Sequence, residues 1–318
     1  MALTVVRVGR TGPLVAWAAM GTVGRFGAVL CAMATPFDAS GALDVDGAVR
    51  LARWLADHGN DGLVVAGTTG ESPVLSDDEK AILWRAVREA VTVPVIAGSS
   101  TSDTAHSVEL TRLAAAAGVA GILAVTPYYS RPPQAGIEAH FRAIAAASDL
   151  PVLIYDIPVR TGRKVEHDTL VRLARDVPTI VGVKDAAGSP AASAKLIADA
   201  PAGFELYSGD DVLTLPLLAV GAVGVISVAS HWAGEVIREM VHAYVKGDVD
   251  HARALNARLI PSWEFQTGDL TPNPIPAKAV LRVLGLPAGQ CRLPLGPAPD
   301  GLEDRARAVL AGLGIPGA

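Results

Sequence analysis

The sequence predicts an α/β protein folded as a (β/α)8 TIM barrel with a helical region appended at its C-terminus. Three observations carry that expectation. Eight short apolar runs recur from residue 28 onward, helix-length amphipathic stretches separate them, and no GxGxxG or P-loop follows the first run. The runs span residues 28–34, 62–66, 93–97, 121–125, 151–155, 179–184, 204–208 and 224–228. Each is nearly continuous rather than alternating, the pattern of parallel strands buried on both faces. Eight strands joined by right-handed crossovers point to closure into a barrel rather than to an open doubly wound sheet.

Between the runs, residues 45–58, 77–91, 102–117 and 134–147 have the length and periodicity of covering helices. Ser76 followed by Glu79 reads as a capping box, in which hydroxyl and carboxylate each satisfy a backbone donor at the helix start. After residue 230 the strand runs stop, and residues 231–313 read as helices broken by Pro261, Pro272 to Pro276 and Pro294 to Pro299. The expected organisation is therefore an extension over residues 1–25, a barrel over 26–230 and a helical region over 231–318.

Half of the 318 residues are apolar, enough for a large core, and a net charge of -5 gives no electrostatic reason to expect nucleic acid or an anionic membrane as partner. A small molecule is the expected partner. Cys31 and Cys291 show no metal-ligand spacing, and the seven histidines form no HxxxH or HxH pattern, so neither disulfide nor metal site is expected. Cysteine usage of this kind suits a reducing, cytoplasmic compartment. Arg7 and Arg10 precede an apolar patch at residues 14–20, but Gly12 and Pro13 interrupt it and it is too short for a secretion signal; Met20 is a candidate start. No apolar run reaches the length of a spanning helix.

In such a barrel, chemistry sits where strands run into the following loops. Lys184 closes the run Ile180-Val181-Gly182-Val183, whereas the five other lysines fall in helical or loop contexts. Lowering an ammonium from about 10.4 to about 7 or 8 requires on the order of 4 kcal/mol of differential destabilisation, which a desolvated barrel interior supplies. The neutral amine is then a nucleophile toward a keto carbonyl. The alternative is a lysine paired with Asp185 or Glu71 at the rim. Thr68 and Thr69 lie in a Gly-flanked turn whose amides either cradle a carboxylate or merely connect strand to helix. Tyr129 and Tyr155 are either proton carriers or packed aromatics. Arg160 either clamps a carboxylate or pairs with a surface acid. Asp210 and Asp211 read as an N-cap and a first-turn acid, and His106 and His140 as surface residues. No GxSxG elbow is present.

The strings Gly67-Thr68-Thr69-Gly70-Glu71-Ser72, Thr126-Pro127-Tyr128-Tyr129-Ser130-Arg131-Pro132, Tyr155-Asp156-Ile157-Pro158-Val159-Arg160-Thr161-Gly162 and Gly182-Val183-Lys184-Asp185 together resemble the dihydrodipicolinate synthase (4-hydroxy-tetrahydrodipicolinate synthase) family of pyruvate-dependent lyases. The likeness covers about residues 26 to 315, including Ser208-Gly209-Asp210-Asp211, Gly224-Val225-Ile226-Ser227 and Pro272-Asn273-Pro274-Ile275-Pro276. It implies a Schiff base between Lys184 and pyruvate, with no other cofactor, and a proton relay of Thr69, Tyr129 and Tyr155. It also implies that Thr68 and Thr69 hold the pyruvate carboxylate, that Arg160 holds L-aspartate 4-semialdehyde, and that backbone at Gly209 and Ile226 lines the site. A homotetramer of two tight dimers is implied as well, with Tyr129 reaching into the neighbouring subunit.

Arg160 and the Thr68-Thr69 pair place the chain nearer to lysine and diaminopimelate biosynthesis than to sialic acid lyases, whose corresponding segment lacks that arginine. A 2-keto-3-deoxy sugar acid aldolase is the second reading and a non-catalytic keto-acid sensor the third. Many bacterial members are inhibited by L-lysine, and their pattern has histidines where this chain has Asp77 and Lys80, and asparagine and glutamate where it has Ser102 and His106. Tyr128 is retained. The resemblance therefore implies weak or absent lysine feedback.

Overall fold

The computed structural model describes residues 24–315; Arg7, Arg10, Met20 and most of the expected N-terminal extension lie outside them. Eight parallel strands close into a barrel in sequence order: β1 (Val29–Ala32), β2 (Gly62–Val65), β3 (Val95–Gly98), β4 (Gly121–Val125), β5 (Val152–Asp156), β6 (Ile180–Asp185), β7 (Glu205–Ser208) and β8 (Gly224–Ser227). Pairing of Leu30 with Ile226 seals the seam between first and last strand, so no sheet edge is left open. The first strand is shorter than its apolar run because Ala34 N–H leaves the ladder and donates to His231 Nε2 at 2.9 Å.

The outer ring comprises α1 (Val45–Asp57), α2 (Asp77–Ala90), α3 (Thr104–Ala116), α4 (Gln134–Ala145), the short α5 (Pro158–Thr161), α6 (His167–Asp176), α7 (Pro190–Asp199), α8 (Thr214–Leu218) and α9 (Ser230–Val245). The capping box that opens α2 is present in full: Glu79 N–H donates to Ser76 Oγ at 3.1 Å and Ser76 N–H to Glu79 Oε2 at 2.9 Å. Helix α9 packs on β1 and β8, and a C-terminal helical region of α10 (Val249–Phe265), α11 (Ile275–Val283) and α12 (Leu302–Gly312) builds a second apolar core against it. No helix among the described residues is long and apolar enough to cross a membrane.

Strand parity divides the side chains. Leu63, Val65, Ala97, Ile122, Ile154 and Val183 point outward and pack beneath the helices, while Leu30, Val64, Ile96, Leu123, Leu153 and Ile226 fill the barrel interior. Tyr207 closes the N-terminal end, its hydroxyl donating to Gly27 O at 3.1 Å and accepting from Phe26 N–H at 3.3 Å. A Cβ at Gly182 would lie 2.3 Å from Glu205 O and 3.0 Å from Leu153 Cδ2, so β6 carries no side chain one pleat below Lys184.

Two charges of the C-terminal region are structural. Lys278 on α11 is fully buried, its Nζ 2.6 Å from Glu71 Oε1 and 4.1 Å from the Phe37 ring centroid. Arg292 stacks on the same ring, 4.2 Å from its centroid, and grips Glu79 through two bonds of 2.6 and 2.9 Å. The Arg292 N–H donates to Glu71 Oε2 at 2.8 Å. The C-terminal region is thus stapled to the turn after β2. Removing one partner of a buried pair strands the other charge, so Lys278→Ala is expected to lower unfolding stability by about 3–5 kcal/mol in denaturant titrations; a loss below about 1 kcal/mol would show the pair to be incidental.

Candidate active site

Lys184 and Tyr155 are register partners on neighbouring strands, and their shared parity turns both side chains into the barrel mouth. The Lys184 ammonium sits 4.2 Å from the Tyr155 ring centroid, and both residues are about 5 % exposed. The expected alternative partners are committed elsewhere. Asp185 accepts from Ser193 Oγ at 2.6 Å and from Ala187 N–H at 2.9 Å outside the barrel, and Glu71 pairs with Lys278. Among the described residues Lys184 has no ion pair within salt-bridge distance. Burial pushes its pKa down from 10.5 to about 8, against the opposing pull of the Asp211 carboxylate and with help from Arg160. The shift corresponds to about 3 kcal/mol against the ammonium form. Burial pushes Tyr155 up to about 12, opposed by the Arg160 guanidinium and the Thr68 hydroxyl, so its phenol keeps its proton at neutral pH.

The two threonines separate. Thr68 lines the cavity at the mouth and interacts with the Tyr155 hydroxyl, whereas Thr69 is buried and its Oγ1 accepts from Asn273 Nδ2 at 2.9 Å. Of the two, Thr68 is thus the threonine that stands beside Tyr155. Ala66 and Glu71, which flank this turn, both take left-handed φ of +57°.

Arg160 lies on α5 and reaches Asn273 O with Nη2 at 3.5 Å. Its loop is pinned by Asp156, which is buried at the end of β5 and accepts from Lys164 Nζ at 3.0 Å and Val165 N–H at 3.1 Å. Gly209 donates its N–H to Asp185 O at 2.7 Å, and Ile226 lies in the interior cluster. Tyr129 is not brought to the site by its own chain: it is 94 % exposed at a φ of +71° and does not line the cavity.

The cavity has a volume of about 560 Å³ and runs from Thr68, Tyr155 and Arg160 outward to Asp77, Lys80, His106 and Tyr128. At its outer end Asp77 bridges His106 Nε2 at 2.8 Å and Lys80 Nζ at 3.7 Å. His106 is thus a cavity residue rather than a plain surface one. His140, also expected at the surface, is buried on α4, its Nδ1 2.9 Å from Thr104 Oγ1, and burial pushes its pKa down to about 4.

Asp210 and Asp211 take the expected places, Asp210 capping a single 3-10 turn by accepting from Val212 N–H at 3.4 Å and Asp211 standing in its first turn, but the Asp211 side chain does more than face that turn. It is buried and accepts from Val228 N–H at 2.9 Å and Ala229 N–H at 3.1 Å, joining the ends of β7 and β8 beside the Lys184 charge. An acid immediately after Gly209-Asp210 is the only trace of this in the sequence. Asn273 was legible as part of a Pro-rich motif but not as a partner of the site.

Known proteins resemble the chain over most of its length. The chain is 50 % identical over 293 residues to the 4-hydroxy-tetrahydrodipicolinate synthase of Moorella thermoacetica, covering 92 % of this chain and 99 % of the relative. It is 53 % identical over 294 residues to that of Acidothermus cellulolyticus, covering 91 % and 93 %. The crystal structure of DHDPS from Cyanidioschyzon merolae with lysine bound superposes with a TM-score of 0.88 at 43 % identity, over 91 % of this chain and 99 % of that one. The sequence profile of the Dihydrodipicolinate synthetase family matches residues 25–312, and to that family the chain belongs.

Proposed function

We propose that this chain is a 4-hydroxy-tetrahydrodipicolinate synthase, a lyase that condenses pyruvate with L-aspartate 4-semialdehyde. The observation that carries the reading is Lys184, an amine buried in the mouth of the barrel against Tyr155 and, among the described residues, without an ion pair. Its lone pair attacks the C2 carbonyl of pyruvate, and loss of water leaves an iminium. A proton leaves the C3 methyl, and the resulting enamine attacks the aldehyde carbon to form the new carbon-carbon bond. The amine of the condensed product then displaces Lys184 as the ring closes.

Tyr155 suits the proton transfers because its phenol holds a proton throughout the neutral range, and Thr68 stands beside it as the next carrier. Thr69 and the amides of its turn are the keto-acid carboxylate site, and Arg160 the carboxylate site of the aldehyde. Gly209 O and the backbone at Ile226 complete the pocket. The third relay member, Tyr129, is supplied by a second copy of the chain, which accounts for an aromatic ring left in solvent within one copy. A homotetramer of two such dimers is the assembly proposed. The Asp77–Lys80–His106 cluster presents an ammonium where a bound lysine would bring its own, so lysine feedback is weak or absent.

Borohydride added to enzyme and pyruvate is expected to leave a reduced adduct on Lys184 in peptide maps, and Lys184→Ala to leave none; an unmodified wild-type Lys184 would end the pyruvate reading. Because the ammonium is destabilised, the reactive amine fraction grows with pH. The rate of imine formation should climb about tenfold per pH unit below about 8 and level off above it. A rise continuing to the ordinary lysine value would show that the barrel does not depress it. Millimolar lysine is expected to leave the initial rate unchanged, and half-inhibition at sub-millimolar lysine would contradict the reading of the outer cluster.

A further inference from the structure

One residue of the C-terminal region reaches both the turn after β2 and Arg160 from a direction that the barrel strands do not supply. Asn273 lies between α10 and α11, is 8 % exposed, and spans 204 positions of sequence to bond Thr69. Its side-chain Nδ2 donates to Thr69 Oγ1 at 2.9 Å, and its backbone carbonyl accepts from Arg160 Nη2 at 3.5 Å. The Asn273 Oδ1 atom is buried without a hydrogen-bond partner among the described residues, and Thr69 Oγ1 makes no second hydrogen bond there.

A threonine hydroxyl carries one hydrogen and two lone pairs. With one lone pair occupied by an amide N–H, its own hydrogen must point away from that amide, and the oxygen that accepts becomes a stronger donor in turn. We propose that Asn273 is a positioning residue that orients the Thr69 hydroxyl as a donor toward the carboxylate of the bound keto acid. The inference rests on the functional reading above, in which that carboxylate sits at the Thr68-Thr69 turn. Through its carbonyl the same residue ties the Arg160 loop to this turn, so the keto-acid and aldehyde halves of the pocket share one anchor. The role is indirect: Asn273 acts on the ligand only through Thr69.

Direction of donation, rather than mere packing, is what separates this role from a structural one. Asn273→Asp keeps the shape of the side chain but replaces the donor with an acceptor, which draws the Thr69 proton away from the ligand. Asn273→Ala removes the donor without adding charge. Both are to be compared with Thr69→Val and with the double variants Thr69→Val/Asn273→Asp and Thr69→Val/Asn273→Ala. Steady-state kinetics and borohydride trapping would be measured on each, with circular dichroism and thermal melting to establish that it is folded.

Asn273→Asp is expected to raise KM for pyruvate about tenfold with a much smaller change in kcat, and Asn273→Ala to raise it less. In the Thr69→Val background neither change should add more than about twofold, the signature of two residues acting through one bond. An unchanged pyruvate KM in both single variants, or a full additional loss in the Thr69→Val background, overturns the proposal. If Asn273→Asp does not fold, Asn273→Ala and its double variant decide by the same criteria. Failure of the underlying reading looks different: the wild-type protein then traps no pyruvate at Lys184, whereas here it does and only the variants disagree.

Discussion

The chemistry depends on a matter of register. Parallel strands paired so that Tyr155 faces Lys184 send both side chains into a barrel whose interior is already filled with Leu30, Val64, Ile96, Leu123 and Leu153. An ammonium placed on top of such a packed hydrocarbon column loses more through burial than the nearby Asp211 carboxylate returns, and that deficit is the source of its nucleophilicity. A slip of one residue in β6 would have put Val183 at the mouth and Lys184 under the helices. The absence of a side chain at Gly182 belongs to the same constraint, because Glu205 O and Leu153 fill the space that a Cβ there would need.

The mouth itself is assembled from distant parts of the chain. The turn after β2 is held by Glu71 on Lys278 and Arg292, Thr69 is held by Asn273, and the Arg160 loop by Asp156 and again by Asn273. Asp211 does similar work between β7 and β8. These polar side chains sit at strand ends, where the regular ladder stops and backbone donors must find other acceptors. The apolar strands form a rigid cylinder, and the charged and amide side chains around its rim decide where the loops lie.

That division explains what the sequence disclosed. The eight strands were legible because each is a self-contained apolar run, and the α2 cap because Ser76 and Glu79 are three residues apart. Lys184 and Tyr155 stood out because each ends such a run. Pairings over long sequence separation left no periodic trace: Glu71 with Lys278, Thr69 with Asn273, and Asp211 with the amides after β8. His140 was misplaced because a helix has one buried face, and a lone histidine on it does not say which. The different surroundings of Thr68 and Thr69 left no trace because identical neighbours carry no information about which way each side chain turns.

The staple between the β2 turn and α11 bears on the order in which the protein is made. Chains emerge from the ribosome N-terminus first, at about 5–20 residues per second, and early segments begin to fold before late ones exist. All eight strands are exposed to solution before Asn273, Lys278 and Arg292 have been synthesised. During that interval Glu71 lacks Lys278 and Thr69 lacks Asn273, so the turn after β2 is unset even if the cylinder beneath it has closed. The shape of that turn is therefore a property of the finished polypeptide, conferred by its last quarter on a feature encoded in its first.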